Sequence, residues 1–286
     1  MTGADPEVSV IVPTRDRPDQ LTACLAALEQ QTASSFEIVV VDDGSSDAAA
    51  VAAVVAAAPH ARLLRGSGRG PAAARNLGAS VARAPALCFT DDDCRPGTRW
   101  IEALAGRMDA AAPAVAGPTY NGQPRNVFAV ASQTITNHLT EASYDPAVDG
   151  VRFAPTSNLA CQAALHRTLR FDEGYRSAAG EDRDWCTRLV DRGLVLAFDP
   201  SAWVTHHQSL SFAGFWRQQV RYGRGAYRCH RGRGPRARLQ TPAFYVRLAG
   251  KGFAAGLAAG LLVVLAQCAT AVGMAREALA ARRPDW

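Results

Sequence analysis

Three apolar runs in the first ninety residues each lead into a cluster of polar residues, and this repeated arrangement constrains the fold most. The runs cover residues 8–12, 36–41 and 86–90. The first run does not alternate apolar with polar side chains, so we interpret it as a strand buried on both faces, as parallel strands are. Helix-like segments separate the runs. This alternation indicates an α/β fold with a mostly parallel sheet that carries helices on both faces.

The polar clusters that follow these strands are predicted to meet at one edge of the sheet. They are Thr14-Arg15-Asp16, Asp42-Asp43 and Asp91-Asp92-Asp93. Parallel α/β sheets bind ligands beyond the carboxyl ends of their strands, so three strands deliver polar groups to one ligand-binding edge. The convergence predicts a binding site, whereas an acidic run alone could equally be a solvated loop or a helix cap.

The aspartates at 91–93 are interpreted as a cation site, because hard divalent cations prefer carboxylate oxygens and closely spaced aspartates supply them. At residues 42–45, a carboxylate at a strand end can accept hydrogen bonds from a base or a ribose. Ser45 and Ser46 in the same segment also suit a turn and a helix cap, and both interpretations can hold together.

Glu181-Asp182 and His206-His207 are further residues whose types suit chemistry. A carboxylate can act as a general base, although acidic residues are also common in the first turn of a helix. Imidazole is a common metal ligand, although a lone histidine more often has a structural role. The glycine-rich residues 66–70 lack the spacing of a dinucleotide fingerprint, and we interpret them as a mobile loop near a nucleotide.

Charge and cysteine content restrict the cellular setting. The formal net charge of +5 suits anionic partners. Arginines crowd residues 217–238 beside an apolar C-terminal segment, which favours a membrane surface over nucleic acid as that partner. The seven cysteines form no Cys-x-x-Cys pair, so we expect reduced, mostly buried thiols in a cytosolic compartment rather than a zinc site.

Residues 253–274 carry no formal charge, and about 20 such residues can span a bilayer core. Gly252, Gly256 and Gly260 form a small-residue pattern that lets membrane helices pack closely. A spanning helix is our first expectation, while a membrane-surface or re-entrant helix and a soluble core helix stay open. The chain is therefore expected at the cytoplasmic face of the cell membrane, held by a C-terminal anchor.

The sequence resembles the family-2 glycosyltransferases, whose fold is called GT-A, in five motifs that occur in the order of that family. The motifs lie at residues 8–16, 38–45, 74–78, 89–96 and 180–189, and they include Val-Asp-Asp-Gly-Ser, the aspartate run and Gly-Glu-Asp. Each motif alone is weak, but together they are highly specific. The resemblance predicts a GT-A domain over residues 1–210, a basic amphipathic segment over 211–240 and a C-terminal hydrophobic, membrane-associated helix over 241–286.

The resemblance implies which residues bind a nucleotide sugar. Pro13, Thr14, Arg15 and Asp43 would line the base and the ribose. Arg75, in the motif at 74–78, would also approach the nucleotide.

The resemblance also divides the acidic run between ribose and metal. Asp91 would lie near the ribose and Asp93 would bind a Mn²⁺ or Mg²⁺ ion, while Asp92 could share either contact. A histidine after a late strand would be a further metal ligand, and His206 fits that place better than His207.

In catalysis, the resemblance makes Asp182, beside Glu181, the general base that deprotonates an acceptor hydroxyl. Sugar would pass from a nucleoside-diphosphate donor to that acceptor in one in-line displacement, with inversion at the anomeric carbon. A membrane-associated enzyme suggests a lipid-linked or cell-envelope glycan as the acceptor, and a homodimer is compatible with the sequence.

Two alternatives to this function stay open. A sugar-nucleotide pyrophosphorylase would need a glycine-rich, lysine-bearing loop after the first strand, which residues 14–18 do not supply. A catalytically inactive, membrane-associated protein that binds nucleotide sugars would not need both Asp93 and Asp182.

The segment Gln218-Gln219-Val220-Arg221-Tyr222 is similar in part to the Gln-x-x-Arg-Trp motif of membrane-bound polysaccharide synthases, with tyrosine in place of tryptophan. The departure argues against a processive, polymer-secreting enzyme. A basic amphipathic helix resting on lipid headgroups explains the segment equally well.

Overall fold

The computed structural model describes residues 5–176, 179–231 and 240–281. The strands are β1 (Val8–Thr14), β2 (Phe36–Asp42), β3 (Ala61–Arg65), β4 (Ala86–Phe89), β5 (Cys94–Pro96), β6 (Ala114–Ala116), β7 (Thr119–Asn121), β8 (Tyr144–Asp145), β9 (Gly150–Val151), β10 (Leu159–Gln162), β11 (Leu196–Phe198) and β12 (Val204–His206). The α-helices are α1 (Pro18–Leu28), α2 (Ala48–Ala56), α3 (Pro71–Val81), α4 (Trp100–Arg107), α5 (Val127–Ala142), α6 (Ala163–Thr168), α7 (Glu181–Asp191), α8 (Phe212–His230), α9 (Pro242–Ala254) and α10 (Leu257–Ala280).

The main sheet has nine strands in the order β3-β2-β1-β4-β10-β6-β11-β9-β8. Its first four strands are parallel, as predicted. Beyond them the sheet is mixed, because β10 runs antiparallel to both β4 and β6. The 3₁₀ turn Thr156–Asn158 lies at the end of β4, where the Thr90 hydroxyl donates to the Ser157 carbonyl. The chain therefore enters β10 from the edge where β4 ends.

Helices cover both faces of this sheet, which confirms the predicted α/β arrangement. Side chains of β1 alternate between two apolar clusters, since Val10 and Val12 belong to one cluster and Ile11 to the other. Helices α1, α2 and α4 contribute buried side chains to the first cluster, and α3, α6 and α7 contribute to the second. None of the seven cysteines forms a disulfide, and only Cys268 is exposed.

A second, three-stranded sheet in the order β5-β12-β7 lies beyond the end of β4. Its register pairs His206 of β12 with Cys94 of β5. Because Cys94 directly follows Asp93, this pairing carries a histidine from late in the chain to the acidic run.

The segment predicted as one C-terminal helix over 241–286 consists of two helices, α9 and α10, in its described part. They share an apolar cluster with α5 and α8, which includes Ile135, Phe215, Leu248 and Val263. Residues on both sides of the predicted boundary at 210 therefore belong to one cluster. Residues 232–239 of the predicted basic segment and the C-terminal residues 282–286 lie outside the described part of the chain.

Glycines allow α10 to approach its neighbours closely. A Cβ atom at Gly223 would lie 2.0 Å from the Thr270 carbonyl oxygen, and one at Gly273 would lie 2.0 Å from the Val220 carbonyl oxygen. Gly252 of α9 and Gly260 of α10 face each other where the two helices pack. Gly256, with a φ of 132°, forms the turn between the helices. This small-residue pattern thus serves packing within the chain.

Candidate functional site

The ends of β1 and β4 meet at the predicted ligand edge. The Thr14 hydroxyl donates to an Asp92 carboxylate oxygen at 2.8 Å. Arg17, at the start of α1, lies beside the same group, with its Nη1 atom 3.1 Å from Asp92 and 3.2 Å from Asp93. The edge therefore holds a cluster of carboxylates balanced by one arginine.

The two aspartates after β2 have different partners. Asp42 is fully buried, accepts a hydrogen bond from the Ser45 N–H and forms an ion pair with Arg65. The Asp43 carboxylate accepts hydrogen bonds from the backbone N–H groups of Arg69 at 3.1 Å and Gly70 at 2.7 Å. The glycine-rich loop is thus tied to Asp43. Asp42 is the turn-forming residue of the pair, as one of the two interpretations predicted. The helix cap expected at Ser45 or Ser46 was wrong, because Asp47 is the N-cap of α2 and accepts a hydrogen bond from the Ala50 N–H.

The predicted nucleoside-binding residues of the first motif lie at this edge with different exposure. Pro13 is half-buried and Thr14 is buried at the end of β1. The Arg15 side chain is 57% exposed and lies 3.7 Å from the Asp16 carboxylate. The exposed Arg15 side chain can therefore contact a ligand. The Thr14 hydroxyl, in contrast, is already bonded to Asp92.

Burial and neighbouring charges separate the pKa values of the acidic run. Burial raises the pKa of Asp92 to about 6, although the Arg17 guanidinium opposes this shift. Burial alone would also raise the pKa of Asp93, but the His206 ring and Arg17 outweigh it and hold the pKa at about 2. At neutral pH Asp93 is therefore the more firmly ionised carboxylate of the two.

Asp93 and His206 form the best cation-binding pair of the described residues. The His206 Nε2 atom lies 3.2 Å from an Asp93 oxygen, and the Cys94 thiol completes a cluster whose ligand atoms lie within 4.8 Å of one another. Burial and the Asp93 charge raise the pKa of the Cys94 thiol, so it stays protonated and is a poor ligand for a hard cation. A carboxylate and an imidazole together suit Mn²⁺, which accepts both ligand types, and Mg²⁺ fits the carboxylate.

Gln133 of α5 fixes the ring of His206. Its side-chain oxygen lies 3.1 Å from His206 Nδ1, while its amide group donates to the Thr119 carbonyl and to Asn137. Because the Gln133 amide group donates elsewhere, the Gln133 side-chain oxygen accepts the hydrogen on His206 Nδ1. His206 Nε2 is therefore the ring nitrogen that faces Asp93. His207 points elsewhere, with its ring packed against Gly122 and its Nε2 3.0 Å from the Thr205 hydroxyl.

Arg75 joins the acidic run to the Glu181-Asp182 motif. This side chain is 3% exposed, and its guanidinium lies 2.5 Å from Asp91 and 3.2 Å from Glu181. The other Glu181 oxygen accepts a hydrogen bond from the Ala179 N–H at 2.9 Å. Both oxygens of Glu181 are therefore engaged: one ties the start of α7 to α3, and the other holds the segment just before α7.

Asp182 and Glu181 both line a cavity, but their partners differ. Its half-buried carboxylate accepts a hydrogen bond from the Arg183 N–H at 2.7 Å, and it has no ion pair within the described part of the chain. Burial raises the pKa of Asp182 above its ordinary value. A carboxylate in such an environment is a stronger base than a solvated one.

The cavity connects Asp182 with the other polar groups of the site. Asp91, Arg75 and His206 line it together with Asp182. On the far side, α5, α8, α9 and α10 supply its wall. The structure thus brings a candidate base, the ribose-side aspartate and a candidate metal ligand to one space.

Several residues of this site were missed by the sequence patterns. Arg17 and Gln133 lie outside the motifs recognised in the sequence, although Arg17 directly follows the first of them. Gln219 and Tyr222 lie in the Gln-x-x-Arg-Tyr segment, whose similarity gave them no role in the site. In the Gln-x-x-Arg-Tyr segment, Gln218 bonds to Ser132 and Gln208 and Arg221 is exposed, whereas Gln219 and Tyr222 line the cavity.

Comparison with known proteins identifies glycosyltransferases as similar proteins. The sequence model of the family described as glycosyl transferase family 2 matches residues 9–168. The pre-mycofactocin glycosyltransferase of Mycobacterium tuberculosis is 28% identical over 164 residues, which are 55% of this chain and 34% of that protein. The chain thus spans about a third of that relative's length. Glycosyltransferase AglE of Haloferax volcanii is 26% identical over 230 residues, 79% of this chain and 74% of that protein.

A solved structure shows the same fold. The mannosyltransferase PcManGT of Pyrobaculum calidifontis, in complex with GDP-Man and Mn²⁺, aligns with a TM-score of 0.60 at 20% identity. The alignment covers 99% of this chain and 77% of that protein. The likeness extends over the whole described architecture.

Proposed function

The chain belongs to glycosyl transferase family 2, and from that premise we propose that it transfers a sugar from a nucleoside-diphosphate donor to an acceptor hydroxyl with inversion. One observation carries the proposal: the Asp182 carboxylate lies in the same cavity as Asp91 and His206. A base is thereby available on the acceptor side of a site whose other side suits a diphosphate and a cation.

We place the donor along the carboxyl ends of β1, β2 and β4. Pro13, Thr14, Arg15 and Asp43 would surround the nucleoside, and Arg15 is the exposed cation among them. Asp91 and Asp92 would lie on the ribose side. Arg75 would act by holding Asp91 in place, because its guanidinium is already shared between two carboxylates.

Asp93 and His206 would hold a divalent cation, Mn²⁺ or Mg²⁺. When bound, such a cation supplies Lewis-acid stabilisation of the leaving diphosphate, worth several kcal/mol. Gln133 would keep His206 Nε2 directed at this position. Arg17 adds a fixed positive charge at the same carboxylates.

Asp182 would receive the proton of the acceptor hydroxyl. The acceptor oxygen forms a bond to the anomeric carbon as the bond from that carbon to the diphosphate oxygen breaks, and the nucleoside diphosphate leaves. Glu181 would take no part in this proton transfer, because Arg75 and the Ala179 N–H occupy its oxygens. Its proposed role is to position α7.

The test of this function is a thermal-shift screen with GDP-, UDP- and dTDP-sugars, with and without Mn²⁺. The correct donor at 100 times its Kd should stabilise the protein by about 2.7 kcal/mol, and Mn²⁺ should increase the shift. His206→Ala should remove the Mn²⁺-dependent part, whereas His207→Ala, whose ring packs on Gly122, should retain it. Equal shifts with and without Mn²⁺ for the unmodified protein would contradict the metal assignment.

We further propose that α10 lies on a membrane surface and does not cross the bilayer. It is the one described helix that is long and apolar enough to span a membrane. Its exposed side carries Leu257, Leu261 and Val264, which are 73%, 58% and 48% exposed. Its other side packs along α8, where Glu277 pairs with two arginines. A spanning α10 would have to leave α8 or draw those arginines into hydrocarbon, where charges are unfavourable.

The full chain is therefore expected to sediment with anionic phospholipid vesicles and to be released at alkaline pH. Leu257→Gln with Leu261→Gln should weaken vesicle binding roughly tenfold, since each leucine is worth about 1.5–3 kcal/mol when fully buried in an apolar phase and less at its surface. Val81→Gln, on the distant α3, is the matched control. Retention in the membrane after alkaline extraction would instead support a spanning helix.

A further inference from the structure

The cavity beside Asp182 continues into a chamber whose far wall carries a group of apolar side chains among polar ones. Ile135 and Leu139 come from α5, Phe244 and Leu248 from α9, and Met274 from α10. Pro13, Thr14 and Asp43 do not line this cavity. The chamber is thus separate from the edge where the nucleoside is placed, and Asp182 and Asp91 lie where the two spaces join.

Gln219 of α8 is an unpartnered polar side chain in this chamber. It is 1% exposed, and neither its amide nitrogen nor its side-chain oxygen has a hydrogen-bond partner in the described part of the chain. The Thr119 hydroxyl, on a residue 5% exposed, also lines the cavity without a partner. Buried polar groups are rarely left unsatisfied, so each indicates a ligand group that completes it.

Gln218, which directly precedes Gln219 on α8, has a structural role. Gln218 accepts a hydrogen bond from the Ser132 hydroxyl at 2.8 Å and donates to Gln208 at 3.0 Å. Its carboxamide ties α8 to α5 and to the segment after β12. Gln219 makes no such link, although it is more deeply buried.

We propose that this chamber is the acceptor site, and that the acceptor is an alcohol whose hydroxyl-bearing head is joined to an apolar group. The inference rests on the proposed function, because the acceptor hydroxyl must reach Asp182. Gln219 would bond to the polar head. Ile135, Leu139 and Leu248 would cover the apolar part, since sugar hydroxyls against these three side chains would be buried without partners.

The chamber's position favours an acceptor delivered from an apolar phase. Helix α10, which supplies part of its wall, also carries the exposed leucines of the proposed membrane face. A soluble acceptor with an apolar group would make the same contacts in the chamber as a lipid acceptor. Experiment must therefore distinguish these two kinds of acceptor.

The probes are n-octyl and methyl β-D-glucoside in solution, below the micelle concentration of the former, and hexadecyl β-D-glucoside in phosphatidylcholine vesicles. Binding to the full chain is followed by saturation-transfer NMR. Each buried methylene adds about fourfold in affinity, so the octyl compound should bind at least about tenfold more tightly than the methyl compound. Ala226→Phe, which fills the chamber from α8, should remove this difference, and Val81→Gln on α3 should leave it unchanged.

Gln219→Leu and Gln218→Leu form the matched pair for the polar head. The first should lower octyl glucoside affinity about tenfold with an unchanged or higher Tm, because an unsatisfied group is removed. The second should lower the Tm. A lower Tm with unchanged affinity in Gln219→Leu would overturn the assignment, because Gln219 would then be structural.

Failure of the inference is distinguishable from failure of the proposed function. Equal binding of the octyl and methyl probes, with no binding of the hexadecyl probe in vesicles, overturns the apolar acceptor site even if donor sugars bind with Mn²⁺. Absence of any donor shift overturns the proposed function even if the octyl probe is preferred. Tighter binding of the octyl than of the methyl probe in solution indicates a soluble acceptor. Binding of the hexadecyl probe in vesicles alone indicates a lipid acceptor. Either result supports the assignment of the chamber as the acceptor site.

Discussion

Asp182→Asn is expected to lower sugar transfer by about 10²–10⁴-fold, the usual contribution of a positioned general base. The amide cannot accept the acceptor's proton, but it keeps the size of the carboxylate in its half-buried position. Donor affinity, measured by the Mn²⁺-dependent thermal shift, should stay close to that of the unmodified protein. Initial rates with saturating donor and acceptor give the comparison.

Asp184→Asn provides the matched control on the same helix. Asp184 pairs with Arg188 at 2.7 Å on a partly exposed surface, and such pairs are worth at most about 1 kcal/mol. Its variant should transfer sugar nearly as fast as the unmodified protein. Comparable activity of Asp182→Asn and Asp184→Asn would show that Asp182 is not the base.

The pH dependence of transfer provides a second measure of the same group. Only the ionised Asp182 can accept a proton, and burial raises its pKa. The rate should therefore fall as the pH is lowered through a pKa above the ordinary aspartate value of about 3.9. An acid limb in the ordinary range would contradict a buried base.

Arg75→Met is expected to destabilise the fold by about 3–5 kcal/mol, because it leaves the buried Glu181 and the partly exposed Asp91 without their shared cation. The Tm should fall by on the order of 10 °C. The reason lies in the geometry, since Arg75 is 3% exposed and contacts both Asp91 and Glu181. Thermal unfolding followed by circular dichroism measures the effect.

Arg75→Met with Glu181→Gln should recover part of that loss, because the double variant no longer buries an unpaired Glu181 charge. Burial and the Asp182 charge already raise the pKa of Glu181, and removal of Arg75 raises it further. A raised carboxyl pKa favours the folded state at low pH and less so as pH rises through it. Arg75→Met should thus be nearest to normal stability in acid. A pH-independent loss without recovery in the double variant would indicate lost packing instead.

The parallel half of the sheet and its polar edge follow from local pattern. Each strand of β1, β2 and β4 is an apolar run followed directly by polar residues, so the ligand edge could be predicted before any contact was known. The antiparallel β10 and the two separate C-terminal helices could not. Their placement depends on the turn at Thr156–Asn158 and on the close approach at Gly223 and Gly273.

The sequence by itself determined the alternation of strands and helices up to β4, the acidic run and the set of residues from which a base and a metal ligand would come. Only the tertiary structure decided between neighbours. Arg75 engages Glu181 and leaves Asp182 without an ion pair among the described residues, and the pairing of β12 with β5 brings His206 rather than His207 to Asp93. Arg75 and Glu181 are 106 positions apart in the chain. Adjacent residues have nearly the same local sequence, but their side chains point in different directions. Each side chain contacts residues from distant segments of the chain, and those contacts decide its role.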